Sequence, residues 1–134
     1  METMTQENAK LIAQELGSRL SYGVKIRVND KIETVEGINI LDNIVEFGTY
    51  MACDIDNVKP YLFPMSSMTE EQHTDMFNYY HNAEIEEVYA SGDYLKAAYI
   101  GDDKKYEWLN RNHFDYRGLI EKGLAIDATG LNIY

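Results

Sequence analysis

The side chains with the widest chemical range in this chain are His73, His81 and His113, the single thiol Cys53, and the carboxylates near them. Metal ligation requires such groups to converge, and the spacing works against it. On one helix, His73 and His81 are eight residues apart, which puts them about 80 degrees apart around the axis and about 12 Å along it. Glu70 and His73 make one Glu-x-x-His step, whereas the metal bundles that use this step carry it on two helices. Asp54 and Asp56 project to the same side of an extended strand, but the further acidic positions of a calcium loop are missing. No metal and no other cofactor is expected.

Nucleophilic chemistry finds equally little. Cys53 has neither His nor a second thiol beside it in sequence, so a small buried side chain is the simpler role. Ser66 and Ser67 lack the Gly-x-Ser-x-Gly elbow, and the chain carries no Walker A loop, dinucleotide glycine fingerprint, His-Glu-x-x-His or paired Cys-x-x-Cys. One acid–base set is left: His113, Asp115 and Glu121 would support an enzyme of unspecified reaction if they met in a polar pocket. That is the alternative reading, and the chain leans away from being an enzyme.

Binding has stronger material. Residues 70–87 contain Glu70, Glu71, Asp75, Glu84, Glu86 and Glu87 with no Lys or Arg, and Tyr79-Tyr80 falls among them. Tyrosines bury a ring and leave a hydroxyl at the rim, which suits both mixed packing and partner surfaces. Tyr79, Tyr80, Glu84, Glu86 and Glu87 are therefore the candidate protein-binding residues, for a partner of basic character. The 23 acidic residues against 12 Lys and Arg give a formal charge of -11, which opposes binding to a phosphate backbone. Direct nucleic-acid binding is disfavoured, with Lys25, Arg27 and Lys31 the only small basic strand face. The same charge admits a second alternative, an acidic inhibitor that mimics nucleic acid.

Around these residues the hydrophobic period reads as α+β: a small, mostly antiparallel sheet of three to five strands packed by an N-terminal helix and two to four C-terminal helices. Thr5 can cap a helix through Leu16 whose partly apolar face carries Leu11, Ile12, Glu15 and Leu16. From Val24 the period drops to two, Asn29-Asp30 can turn the chain into Lys31–Val35, and Ile44–Tyr50 and Met51–Ile55 follow as strands or as one bent strand. Pro60 and Pro64 break the pattern and predict a fixed crossover rather than an interior strand. Thr69 and Gln72 fit a capping box. Residues 84–89 suit helix or strand, a short helix is expected through Leu95 and Ala98, and another is expected from Asp102-Asp103 with Glu107 and Arg111 at a supportive spacing. Asp115 is placed to cap a final helix through Leu119, Ile120 and Leu124, and residues 131–134 to add an edge strand.

At 134 residues and 45 % apolar, the chain fits one domain burying roughly two-thirds of its extended surface. One cysteine allows no intrachain disulfide, which suits a reducing cytoplasmic setting. The stretch Met1 to Glu7 lacks the basic and apolar regions of a secretory signal, and no run approaches about 18 apolar residues. A membrane partner is not expected, and homo-oligomerisation stays open.

Two phrases carry a resemblance. They run from Val58-Lys59-Pro60-Tyr61-Leu62-Phe63-Pro64-Met65-Ser66-Ser67-Met68-Thr69-Glu70-Glu71 and from Trp108-Leu109-Asn110-Arg111-Asn112-His113-Phe114-Asp115 through Ile126. They resemble small uncharacterised proteins encoded by phages and integrated mobile elements of gut bacteria, which often carry K-P-x-L-R-P-[LM]-S-S-[LM]-T-E-E and H-H-F-D-x-x-G-L-I-E-K-G-L-A. Phe63 and Asn112 depart from that pattern, standing where Arg and the first His are frequent. The resemblance implies an accessory role alongside a host or phage protein and implies no catalytic residue. The second phrase also reads as a packing signature that closes the core.

Overall fold

The computed structural model describes residues 4–134, so Met1 to Thr3 of the N-terminal stretch lie outside it. Helix α1 (Gln6–Arg19) starts where expected: Thr5 is extended, and its Oγ1 accepts the Asn8 amide at 3.1 Å. Ala9, Ile12, Ala13 and Leu16 form its buried face. A 3₁₀ turn over Leu20–Tyr22 ends at Gly23, whose φ of +70° is open to glycine at little cost.

The sheet begins as the period-two pattern requires. Strands β1 (Lys25–Val28) and β2 (Lys31–Asn39) form a hairpin across Asn29 and Asp30, both left-handed, as a two-residue turn between right-twisted strands demands. The next two strands are separate, β3 (Ile44–Phe47) and β4 (Met51–Asp54), antiparallel to one another. The register of β2 against β3 shifts between Val35 and Gly37, and a side chain at Gly37 would meet the Glu46 carboxylate at 2.6 Å.

Strand β5 (Val58–Pro64) overturns the expected crossover, because it lies inside the sheet. It runs antiparallel to β1 and parallel to two short strands, β6 (Phe114–Asp115) and β7 (Ile126–Asp127). The hydrogen bonds explain how two prolines are tolerated. The Leu62 carbonyl accepts from Ala128 on the β7 side, while the Phe63 amide donates to His113 on the opposite side. Backbone groups alternate along a strand, so Pro60 and Pro64, in step with Leu62, turn their nitrogens to the β7 edge. There β7 pairs only with Tyr61 and Leu62, and no amide is missed. The sheet has seven strands in the order β4-β3-β2-β1-β5-β6, with β7 also on β5, rather than three to five. The excess comes from the two-residue strands.

Three helices follow β5, within the expected two to four. Helix α2 (Glu70–Tyr80) carries the complete capping box: Gln72 donates its amide to Thr69 Oγ1 at 3.1 Å, and Thr69 donates its own to Gln72 Oε1 at 2.9 Å. The ambiguous residues become helix α3 (Ala83–Ala90), capped by Asn82. Helix α4 (Tyr94–Arg111) is continuous where two shorter helices were expected. Asp93 caps it by accepting the Lys96 amide, and Gly101 passes through its middle, where an added Cβ would make only ordinary contacts with Ile85 and the Tyr80 carbonyl.

The expected final helix is absent. Asp115 stands in β6, and its two carboxylate oxygens accept the amides of Leu119 and Ile120, both at 2.9 Å. Gly118 and Gly123 are left-handed, so a side-chain-capped turn replaces the helix at this point. Residues 131–134 form no strand; instead the Tyr134 hydroxyl accepts the Lys25 amide at 2.9 Å and donates to the Tyr61 carbonyl at 2.7 Å, bridging β1 and β5. One core lies between α1 and the sheet and takes in Leu119 and Leu124. A second joins Met68, Met76, Trp108, Leu109 and Phe114.

Leu119 is fully buried and Ile120 only partly so. Leu119→Ala is expected to cost about 2–5 kcal/mol through lost transfer energy and the cavity left behind, and Ile120→Ala less. Asp115→Ala orphans two amides and should cost about 2–4 kcal/mol, more than an ordinary helix cap. Urea unfolding of the three variants checks this order; near wild-type stability for Leu119→Ala would remove the core-closing role of the turn.

Candidate functional site

The acid–base trio does not assemble. His113 and Asp115 are buried, whereas Glu121 is exposed. Both Asp115 oxygens are occupied by backbone amides. The His113 ring stacks on Tyr134 with centroids 3.6 Å apart and planes 12° apart, and its carbonyl accepts the Phe63 amide. Its Nδ1 is buried without a hydrogen-bond partner, and its backbone is left-handed at φ +63°. Burial, with the positive charges of Arg19 and Lys25, lowers its pKa from 6.5 to about 4. At neutral pH it is an uncharged packing residue.

The other sequence candidates stay dispersed. His73, Asp54 and Asp56 are exposed, and among the described residues no three His, Cys, Asp or Glu side chains gather as a metal site. Burial and the neighbouring Asp54 raise the Cys53 pKa, which keeps the thiol protonated. The basic strand face divides, because Lys25 and Arg27 pair across the hairpin with Thr34 and Ile32 while Lys31 sits opposite Val28 on the other face.

Sequence reasoning placed Glu15 on the partly apolar face of α1 but missed Arg19 and the buried ion pair the two form. Glu15 and Arg19 are fully buried on α1, in step with Ile12 and Leu16. Arg19 Nε donates to Glu15 Oε1, its Nη2 to the Phe114 carbonyl, and its Nη1 to the Leu109 carbonyl at 3.5 Å. Arg117 donates to the second Glu15 oxygen at 2.8 Å and to Ser18 Oγ at 3.0 Å. The Tyr116 ring faces both guanidiniums, at 5.4 Å from Arg19 and 4.6 Å from Arg117. The signal was present in the sequence: positions 12, 15, 16 and 19 share one helix face, so a charged pair there must be satisfied from within the fold.

A different place has the form of a binding site. Between α3 and α4 lies an open cleft of about 570 Å³, walled by Tyr80, Tyr89 and Tyr94 and floored by Ile85, Ala97 and Gly101. Tyr89 and Tyr94 pack with ring centroids 4.7 Å apart yet remain 62 % and 60 % exposed. Beside them on α4, Leu95 and Tyr99 are 83 % and 79 % exposed. Glu86 and Asp102 stand at the rim, and Glu86 approaches His81 Nε2 at 3.5 Å.

Of the five predicted binding residues, Tyr80 and Glu86 line this cleft, and Glu84 and Glu87 are exposed on α3. Tyr79 is separate from them: its hydroxyl accepts from Arg111 at 3.1 Å, and its ring faces Arg111 and Lys104. Leu95 and Tyr99 were not among the predicted binding residues, although Leu95 lies in the short helix that was expected. The charge is concentrated here as well. Residues 69–103 hold nine Asp and Glu with Lys96 as their one base, leaving 14 acids and 11 bases for the remainder.

Comparison with protein-family models, with curated proteins and with solved structures returns no match. Among the described residues, no helix is long and apolar enough to cross a membrane.

Two measurements follow from the buried polar groups. The folded His113 pKa lies below its unfolded value of 6.5, so the unfolded chain binds the extra proton, and stability is lost as pH falls from about 6.5 to about 4. His113→Asn keeps a residue that accepts the left-handed backbone and removes this dependence. The stability difference between wild type and variant, from urea unfolding, should narrow by about 3 kcal/mol across that window; a constant difference would refute the assignment. Arg19→Ala should cost about 3–5 kcal/mol, with Glu15→Ala/Arg19→Ala costing less than the sum of the singles. Additivity in that cycle would show the pair to be uncoupled.

Proposed function

We propose that this protein is a non-enzymatic accessory protein that binds another protein, of host or phage origin and basic character, through the cleft between α3 and α4. The observation that carries the reading is the coincidence of an exposed aromatic cleft with the part of the chain where acids outnumber bases nine to one. Exposed aromatic clusters of this kind supply binding hot spots, and the surrounding carboxylates favour Lys and Arg across the interface. The sequence resemblance supplies the phage or mobile-element setting, and a cytoplasmic location belongs to the same proposal. The dispersal of His113, Asp115 and Glu121 gives the enzyme reading no comparable support.

Glu84, Glu86 and Glu87 are all exposed, and because Glu84 and Glu86 stand in the first turn of α3, reversing each of these two to Lys should cost about 0.3–1 kcal/mol, with urea unfolding confirming that the variant is folded. Affinity capture with the intact chain should recover a basic protein that the Glu84→Lys/Glu86→Lys/Glu87→Lys variant fails to retain. Added nucleic acid competing for that partner would favour the mimic version of the same surface. Capture of no reproducible partner, or equal capture by the variant, would sink the proposal.

A further inference from the structure

We infer that the occupant of the α3–α4 cleft is an amphipathic helix carrying aliphatic or aromatic anchors on one face and Lys or Arg beside them, an inference that rests on the binding role just proposed. The backbone requirements of the cleft decide between helix and strand. An extended segment gains affinity by pairing its amides and carbonyls with a sheet edge. Here both walls are helices and offer no sheet edge: within the helix turns and ends His81 donates to the Phe77 carbonyl, Ser91 to Glu87, Gly92 to Tyr89 and Ala97 to Asp93. An extended occupant would bury backbone groups with no strand ladder to receive them, whereas a helix satisfies its own.

The shape of the cleft agrees. Ala97, Ala98 and Gly101 make a low floor on α4, so a helix can approach closely, while Tyr89 and Tyr94 stand as walls. Leu95 and Tyr99 extend the apolar surface along the adjoining face of α4, one turn apart, as a helix-in-groove contact uses it. From Tyr94 to Asp102 the cleft runs about 12 Å, or a little over two turns. Charge favours basic flanks: Glu86 and Asp102 stand at the rim, and the six acids of residues 84–105, Glu84, Glu86, Glu87, Asp93, Asp102 and Asp103, outnumber the three lysines of this stretch, Lys96, Lys104 and Lys105, while His81 in the lining approaches Glu86.

Two labelled 14-residue peptides of identical Leu and Lys content provide the test. One orders Leu at helical spacing, and the other alternates Leu and Lys at strand spacing. Each is titrated by fluorescence anisotropy into the full chain and into Ala98→Trp, an exposed position where the new ring fills the cleft. Urea unfolding confirms that the variant is folded. The expected result is binding of the helical order at least tenfold tighter than the alternating order, gain of helical circular dichroism in the bound peptide, and at least tenfold loss with Ala98→Trp. Equal or tighter binding of the alternating order, still sensitive to Ala98→Trp, would overturn the helix inference and leave the cleft as the binding site. Binding indifferent to Ala98→Trp, or no binding of either peptide, would overturn both.

Discussion

The Arg19 guanidinium is sealed from water between Glu15, the carbonyls of Leu109 and Phe114, and the Tyr116 ring. A buried cation tolerates no vacancy, because an uncompensated charge in the interior costs several kcal/mol. Its partners come from α1, from the end of α4 and from β6, so the condition that Arg19 be satisfied fixes how these elements meet. Arg117 extends the constraint by occupying the second Glu15 oxygen. The ionic cluster thus sits where the α1–sheet core and the α2–α4 core adjoin, and either core packing alone would leave it incomplete.

Strand β5 imposes the second condition. Three strands adjoin it, and the two parallel ones are only two residues long. Short parallel strands have little ladder of their own, so side chains complete the pairing. The Tyr134 hydroxyl takes the place of a backbone group between Lys25 and Tyr61, and the Asp115 carboxylate closes the turn that follows β6. His113 belongs to this arrangement, its left-handed backbone turning the chain out of α4 so that its carbonyl meets Phe63.

What the sequence made legible was local. The Thr5 cap, the Thr69 capping box and the hairpin at Asn29-Asp30 each depend on residues within a few positions, and each formed as read. The failures share a different origin. Pro60 and Pro64 looked like breakers because the neighbours of β5 come from residues 25–28, 114–115 and 126–127, which no local pattern reveals. Asp115 looked like a helix cap and caps a turn instead, a choice settled by Leu119 entering the core beneath the sheet. Of the candidate site, the acidic stretch, Tyr80 and a short helix through Leu95 and Ala98 were visible, while the continuity of α4 into Asp102-Asp103, which look like a new helix start, was set by tertiary packing.

The uneven placement of charge gives the molecule an electric polarity as well as a net charge. Residues 69–111, which carry α2 to α4, hold ten acids and four bases against 13 and eight in the rest of the chain, so negative charge is denser on these helices than elsewhere. A positively charged body approaching from a distance experiences a torque that turns the helical end to meet it, so orientation precedes contact and fewer encounters are wasted. That alignment reaches only as far as the ionic atmosphere permits, about 8 Å at physiological salt. The exposed tyrosines act at shorter range still, which divides recognition between a field that aims the molecule and a cleft that holds what arrives.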